Sequence, residues 1–142
     1  MHADSNIAPE LIAAYRETHY RVLATPVFTL LIDVHSTGLA ELHRARGVDC
    51  SAFVTAWNPF SRALDDASNA ARQDDLRDTL RRQGREFVEG VGTHPSNAWP
   101  GEPSLLVLGI TRTDAEALGN RLEQNAIVWC GADARPRLIL LR

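Results

Sequence analysis

Phe53-Val-Thr-Ala-Trp-Asn-Pro-Phe60 decides how the chain is read, because an apolar strand here runs straight into a polar, proline-locked corner. Val54, Thr55 and Ala56 suit a buried strand, whereas Asn58 favours a turn and Pro59 has no backbone donor to offer a ladder. A core strand that stops so abruptly predicts a site at its end, since binding groups concentrate on loops held by a rigid scaffold.

Upstream, residues 7–23 read as a helix with Pro9 in its first turn and Leu11, Ile12, Tyr15, His19 and Val22 on one stripe. Residues 1–24 are therefore taken as an N-terminal helix, and 25–142 as the core of the same single domain. Thr25-Pro26 breaks the helix. Residues 27–34 then alternate as a half-buried strand, and Ser36 or Thr37 caps a short helix that ends at Gly47.

Downstream of the corner, the caps and acids of Asp65-Asp-Ala-Ser-Asn69 open a helix that runs to about Gln83. Its apolar stripe passes through Leu76 and Leu80, and seven residues before Leu76 lies Asn69. Asn69 should thus face the core and bond the corner at Asn58, because a buried amide needs partners. Residues 85–91 read as a strand, 92–103 as a long loop carrying Trp99 and Glu102, and 104–110 as a strand buried on both faces. Thr113-Asp-Ala-Glu116 has capping-box spacing for a last helix, and 126–130 and 138–141 read as the final strands.

These elements predict an α+β fold, a two-layer mixed sheet with helices packed on it. A doubly wound sheet is disfavoured, because the last two strands leave no room for a crossover helix. The strand-helix-strand units at 27–57 and 104–130 are the parts of a ferredoxin-like arrangement, with the helix near residue 75 and its following strand inserted between them.

The order and spacing of Thr55-Ala-Trp-Asn-Pro59, Asn69, Trp99-Pro-Gly-Glu102, Ser104, Gly109 and Gln124-Asn-Ala126 resemble a family of small bacterial proteins, domain of unknown function 3293, from about Tyr20 onward. The resemblance implies a bacterial, cytoplasmic protein and supplies no reaction, substrate or cofactor.

Composition narrows the function classes. With 44% hydrophobic and 23% charged residues the chain has ordinary globular balance, and the sequence contains no apolar run long enough to span a membrane. Its start, Met-His-Ala-Asp-Ser-Asn, lacks the basic and apolar pattern of a secretory signal, so a soluble cytoplasmic protein is expected. All fifteen basic residues are arginine, yet the net charge is −3, which disfavours nucleic acid and anionic membranes as partners. The Arg77, Arg81, Arg82 and Arg85 cluster is interleaved with Asp74, Asp75 and Asp78, as on an ion-paired helix face. Cys50 and Cys130 suit small structural thiols. The five histidines show no ligand spacing, and neither a P-loop nor a dinucleotide fingerprint occurs, so no metal and no cofactor is expected.

The polar residues at element ends are the candidates for a ligand site: Asn58, Asn69, Trp99, Glu102, Gln124 and Asn125. One reading is a binding or interaction module for a small molecule or a protein, with a homodimer left open, built around the Thr55-Pro59 corner. The alternative is a small hydrolase or transferase with Glu102 as general acid or base, His94 as its partner, and the amides as donors. Ordinary structural roles compete at every position: asparagines cap turns, a glutamate between Gly101 and Pro103 suits a solvated loop, and tryptophans fill cores.

Overall fold

The computed structural model describes residues 5–96 and 101–142. In chain order it contains α1 (Pro9–Glu17), β1 (His19–Val22), β2 (Phe28–Leu30), α2 (Thr37–Arg46), β3 (Ser51–Val54), a 3-10 turn (Pro59–Ser61), α3 (Asp66–Arg82), β4 (Phe87–Thr93), β5 (Glu102–Leu108), α4 (Arg112–Arg121), β6 (Ala126–Cys130) and β7 (Pro136–Leu140). The fold is α+β. Among the described residues, no helix is long and apolar enough to cross a membrane.

Local chemistry sets most boundaries. Ser36 caps α2 by accepting from the Leu39 amide, and Gly47 closes it in the left-handed region at φ 67°. Asp65 caps α3 by accepting from Ser68. The helix expected to reach residue 23 stops at Glu17, where Thr18 turns extended. His19–Val22 alternates instead, with Tyr20 and Val22 buried and Arg21 exposed. Over so short a run both periods fit, and pairing with β2 on one side and β4 on the other decides for the strand. The cap of α4 is Thr111, whose Oγ1 accepts from the Asp114 amide at 3.2 Å, not Thr113, which falls inside the first turn.

The seven strands form one sheet in the order β2-β1-β4-β5-β3-β6-β7. Every neighbouring pair is antiparallel, which corrects the expectation of a mixed sheet. The reason lies in the two helical connections. Helix α3 carries the chain from β3 over β5 to β4, and α4 carries it from β5 over β3 to β6, so parallel strands are always separated by one antiparallel strand. The segment expected to be inserted, α3 with β4, is thus the first of these crossovers. The strand expected to open the arrangement lies at the sheet edge as the short β2.

The sheet is curled. The Asp33 amide, just beyond one edge strand, donates to Pro136 O in the opposite edge strand at 2.7 Å, and Ser36 N donates to Ala134 O at 2.9 Å. Curling gives the sheet an inner and an outer face with a core on each, where two layers were expected. On the outer face Leu76 and Leu80 of α3 and Ala115 and Leu118 of α4 pack against Ala52, Val54, Leu105 and Val107. Inside, Leu39 of α2 packs with Tyr20, Phe53, Leu106 and Val128. Gly90 permits that inner packing, since a Cβ there would sit 2.7 Å from the Phe53 ring and 2.8 Å from Arg21 O.

Candidate functional site in the mouth of the curled sheet

Where β3 ends, the backbone enters a rarely populated conformation: Asn58, Phe60 and Ser61 all have positive φ, at 47°, 53° and 59°. Hydrogen bonds from three directions fix it. Asn69, 1% exposed on α3, accepts from the Asn58 amide at 2.8 Å and donates through Nδ2 to Asn58 Oδ1 at 2.7 Å. Asn58 Oδ1 also accepts from Leu64 N at 3.0 Å. From the segment after α4, Glu123 O accepts from Phe60 N at 2.6 Å, and Gln124 Nε2 donates to Trp57 O at 3.3 Å.

Two residues that the sequence reading passed over complete the corner. Gln73 Oε1 accepts from the Ala56 amide at 2.9 Å, and the Arg72 guanidinium donates to Ala56 O and Leu122 O, both at 2.8 Å. Gln73 lies one helical turn beyond Asn69 on the stripe through Leu76, so its polarity at a buried position was a readable signal. Its Nε2 is buried without a partner among the described residues.

Beside this corner the curled sheet opens into a cavity of about 510 Å³. Its floor is the inner core, with Phe53, Tyr20 and Val128, and the Tyr20 and Phe53 rings meet edge to face at 5.3 Å. One wall is α1, whose Tyr15 hydroxyl pairs with Ser61 Oγ at 2.6 Å and accepts from Asn125 Nδ2 at 3.0 Å. Arg142 in turn donates to Asn125 Oδ1 at 3.2 Å and lies over the Phe60 ring at 4.3 Å. In the sequence Tyr15 reads only as part of a helical stripe. Its role at the wall depends on Ser61 and Asn125, far away in sequence.

Asn58, Asn69, His94, Glu102, Gln124 and Asn125 all border this cavity. Trp99, the other sequence candidate, lies outside the described residues. The side-chain oxygens of Asn58, Asn69 and Asn125 all accept hydrogen bonds from the protein itself, which makes these residues supports of the rim. His94 is not paired with Glu102. Its Nε2 lies 3.0 Å from Glu17 Oε1, and the Ser96 amide, which can only donate, points at its Nδ1 at 3.2 Å. Nδ1 is therefore the acceptor and Nε2 the donor to Glu17.

Glu102 is the chemically distinct group. The sequence places this candidate acid or base in a long loop, but it sits on β5 opposite Gly92 of β4, so its side chain shares the inner face with Ser104 and Leu106. Among the described residues, its carboxyl has no hydrogen-bond or ion-pair partner. Burial alone pushes its pKa from 4.5 up to about 7. The same surroundings push Tyr20 well above the ordinary phenol range, mainly through desolvation, with a small contribution from the nearby Glu102 charge.

A second polar pair lies outside the cavity. His43 Nε2 and Ser51 Oγ are 2.8 Å apart, and burial lowers the His43 pKa against the opposing pull of Asp49. Ser51 is 0% exposed, so this pair is core packing with no route for a substrate. Among the described residues no group of three or more histidine, cysteine, aspartate or glutamate side chains could hold a metal ion.

A family model described as "Protein of unknown function (DUF3293)" matches residues 54–127 of the 142. The chain belongs to the DUF3293 family. The matched span runs from the end of β3 into β6 and includes the corner, α3, Glu102, Gln124 and Asn125. No curated protein and no solved structure matches the chain.

Proposed function

We propose that this DUF3293 protein is a single-domain, cytoplasmic binding module whose ligand is a small molecule held in the mouth of the curled sheet. The observation that carries the reading is the cavity itself: about 510 Å³, with an apolar and aromatic floor and one carboxyl raised to about 7. That size and mixture are what small-molecule sites present. A rim whose backbone is fixed by Asn69, Gln73 and Arg72 is pre-organised, which lowers the entropy cost of binding. Two free cysteines favour a reducing compartment. Of the four arginines in the basic cluster, Arg77, Arg81 and Arg85 are paired with Asp74, Glu89, Asp78 and Asp114, and Arg82 bonds Thr79, which supports a small-molecule partner instead. The order β4-β5-β3-β6 with its two helical crossovers supports a ferredoxin-like core to which β1, β2 and β7 are added.

One observation favours a second reading. A carboxyl titrating near neutrality is equipped to be a general acid or base, as a hydrolase or transferase would need. A thermal-shift screen of small molecules on wild type and Gly92→Val tests the first reading. Gly92 borders the cavity with, among the described residues, only Thr18 Cγ2, at 3.7 Å, near the position of an added Cβ, so valine fills the mouth without disturbing the corner. Ligands that stabilise wild type and not the variant support the binding site. Equal shifts in both proteins contradict it. Turnover in an activity screen that Glu102→Gln abolishes in a folded protein decides for the enzyme.

A further inference from the structure

The charges around the cavity are one-sided. Its acidic lining residues are Glu102 and Asp66, while His94 faces it already bonded to Glu17, and the chain contains no lysine. Among the described residues none of the lining residues is arginine, and Arg142, which touches the rim at Asn125, is held by Asn125 Oδ1 and the Phe60 ring. The titratable groups that share the cavity with Glu102 are Tyr20 on β1, Tyr15 on α1, His94 with its partner Glu17, and Asp66 at the start of α3. Among the described residues, Glu102 therefore has no counter-ion. Tyr15, Tyr20, Phe53 and Trp57 add aromatic rings to the lining of the same cavity.

Resting on the small-molecule reading above, we propose that the ligand is an organic cation, an amine or protonated nitrogen heterocycle on an apolar body, with its N–H paired to Glu102 and its body against Phe53, Tyr20 and Trp57. A cation supplies the charge that an ionised Glu102 otherwise lacks in a poorly hydrated place, and aromatic faces attract it further. A ligand anion would meet Glu102 and Asp66 without a compensating base.

Calorimetric titration with three indoles of similar skeleton tests this: tryptamine, tryptophol and indole-3-propionate, at about pH 8, where the carboxylate predominates. Tryptamine should bind at least tenfold tighter than the alcohol, and the acid should be weakest. Glu102→Gln should remove the preference for the amine. On unaltered protein the primary ammonium stays charged between pH 6 and 8 while the ionised share of Glu102 rises from about one tenth to about nine tenths, so tryptamine affinity should rise about tenfold. Binding of the alcohol or acid as tight as that of the amine, or amine affinity flat with pH, overturns the inference. If other compounds occupy the cavity and none of the three indoles does, the cation inference fails and the binding site stands. If no compound shows a difference between wild type and Gly92→Val, both fail.

Discussion

Replacing Glu102 with glutamine should change stability in a way that depends on pH. The folded pKa of Glu102 is raised to about 7 against 4.5 in an unperturbed chain, so the fold disfavours the ionised form. Below about pH 4.5 both folded and unfolded chains hold the proton, and the site costs nothing. Between about 4.5 and 7 the unfolded chain ionises first, so the site's contribution falls as pH rises. Above about 7 the cost is complete and constant. Each pKa unit is worth about 1.4 kcal/mol, which sets an upper limit of roughly 3.5 kcal/mol, and the partial exposure of Glu102 brings the expected cost to about 1–3 kcal/mol. Glutamine carries its own polar amide, so any constant offset appears at every pH and the difference between two pH values isolates the carboxyl. Urea unfolding of both proteins at about pH 4 and pH 8 should show the variant gaining about 1–3 kcal/mol on wild type over that range. A stability difference that is the same at both pH values would refute the claim that Glu102 is held in a desolvating cavity.

Other outcomes follow from the same geometry. Asn69→Ala removes the acceptor of the Asn58 amide and the donor to Asn58 Oδ1, and urea melts should show a loss of about 1–3 kcal/mol. A loss of a few tenths would mean that the corner does not depend on α3. Gly119→Ala in α4 should destabilise although alanine favours helix by about 1 kcal/mol, since its Cβ would lie 2.6 Å from Leu141 Cδ1 and 2.7 Å from Ile127 Cγ2. Thermal melts showing a more stable variant would contradict that packing. His43→Gln should weaken the loss of stability as pH falls below 6.5, because the folded pKa of His43 is depressed by burial and its neutral form is favoured above that pH. Parallel acid limbs in wild type and variant would exclude this contribution.

Local features were legible because they follow from a helix period or a single cap. The position of Asn69 came from the Leu76 stripe, and the bounds of α2 came from Ser36 and Gly47. What pairing decides was not legible. His19–Val22 reads as helix until β2 and β4 flank it, and Glu102 reads as a loop acid until Gly92 pairs opposite it. The curl that makes the cavity rests on the Asp33 amide meeting Pro136 O, a contact between distant parts of the chain that no local pattern encodes. Gln73 is legible in the same way, for it lies on the stripe that carries Asn69.

The most direct test of the account is amide NMR of isotopically labelled protein titrated with a compound that stabilises it. Binding in the mouth of the curled sheet predicts the largest shifts at Gly92, Thr93, Ser104, Ser61 and Asn125, which border the cavity from four separate parts of the chain, and their disappearance in Gly92→Val. Shifts confined to the outer face around Arg77 and Glu89, or unchanged in Gly92→Val, would contradict it.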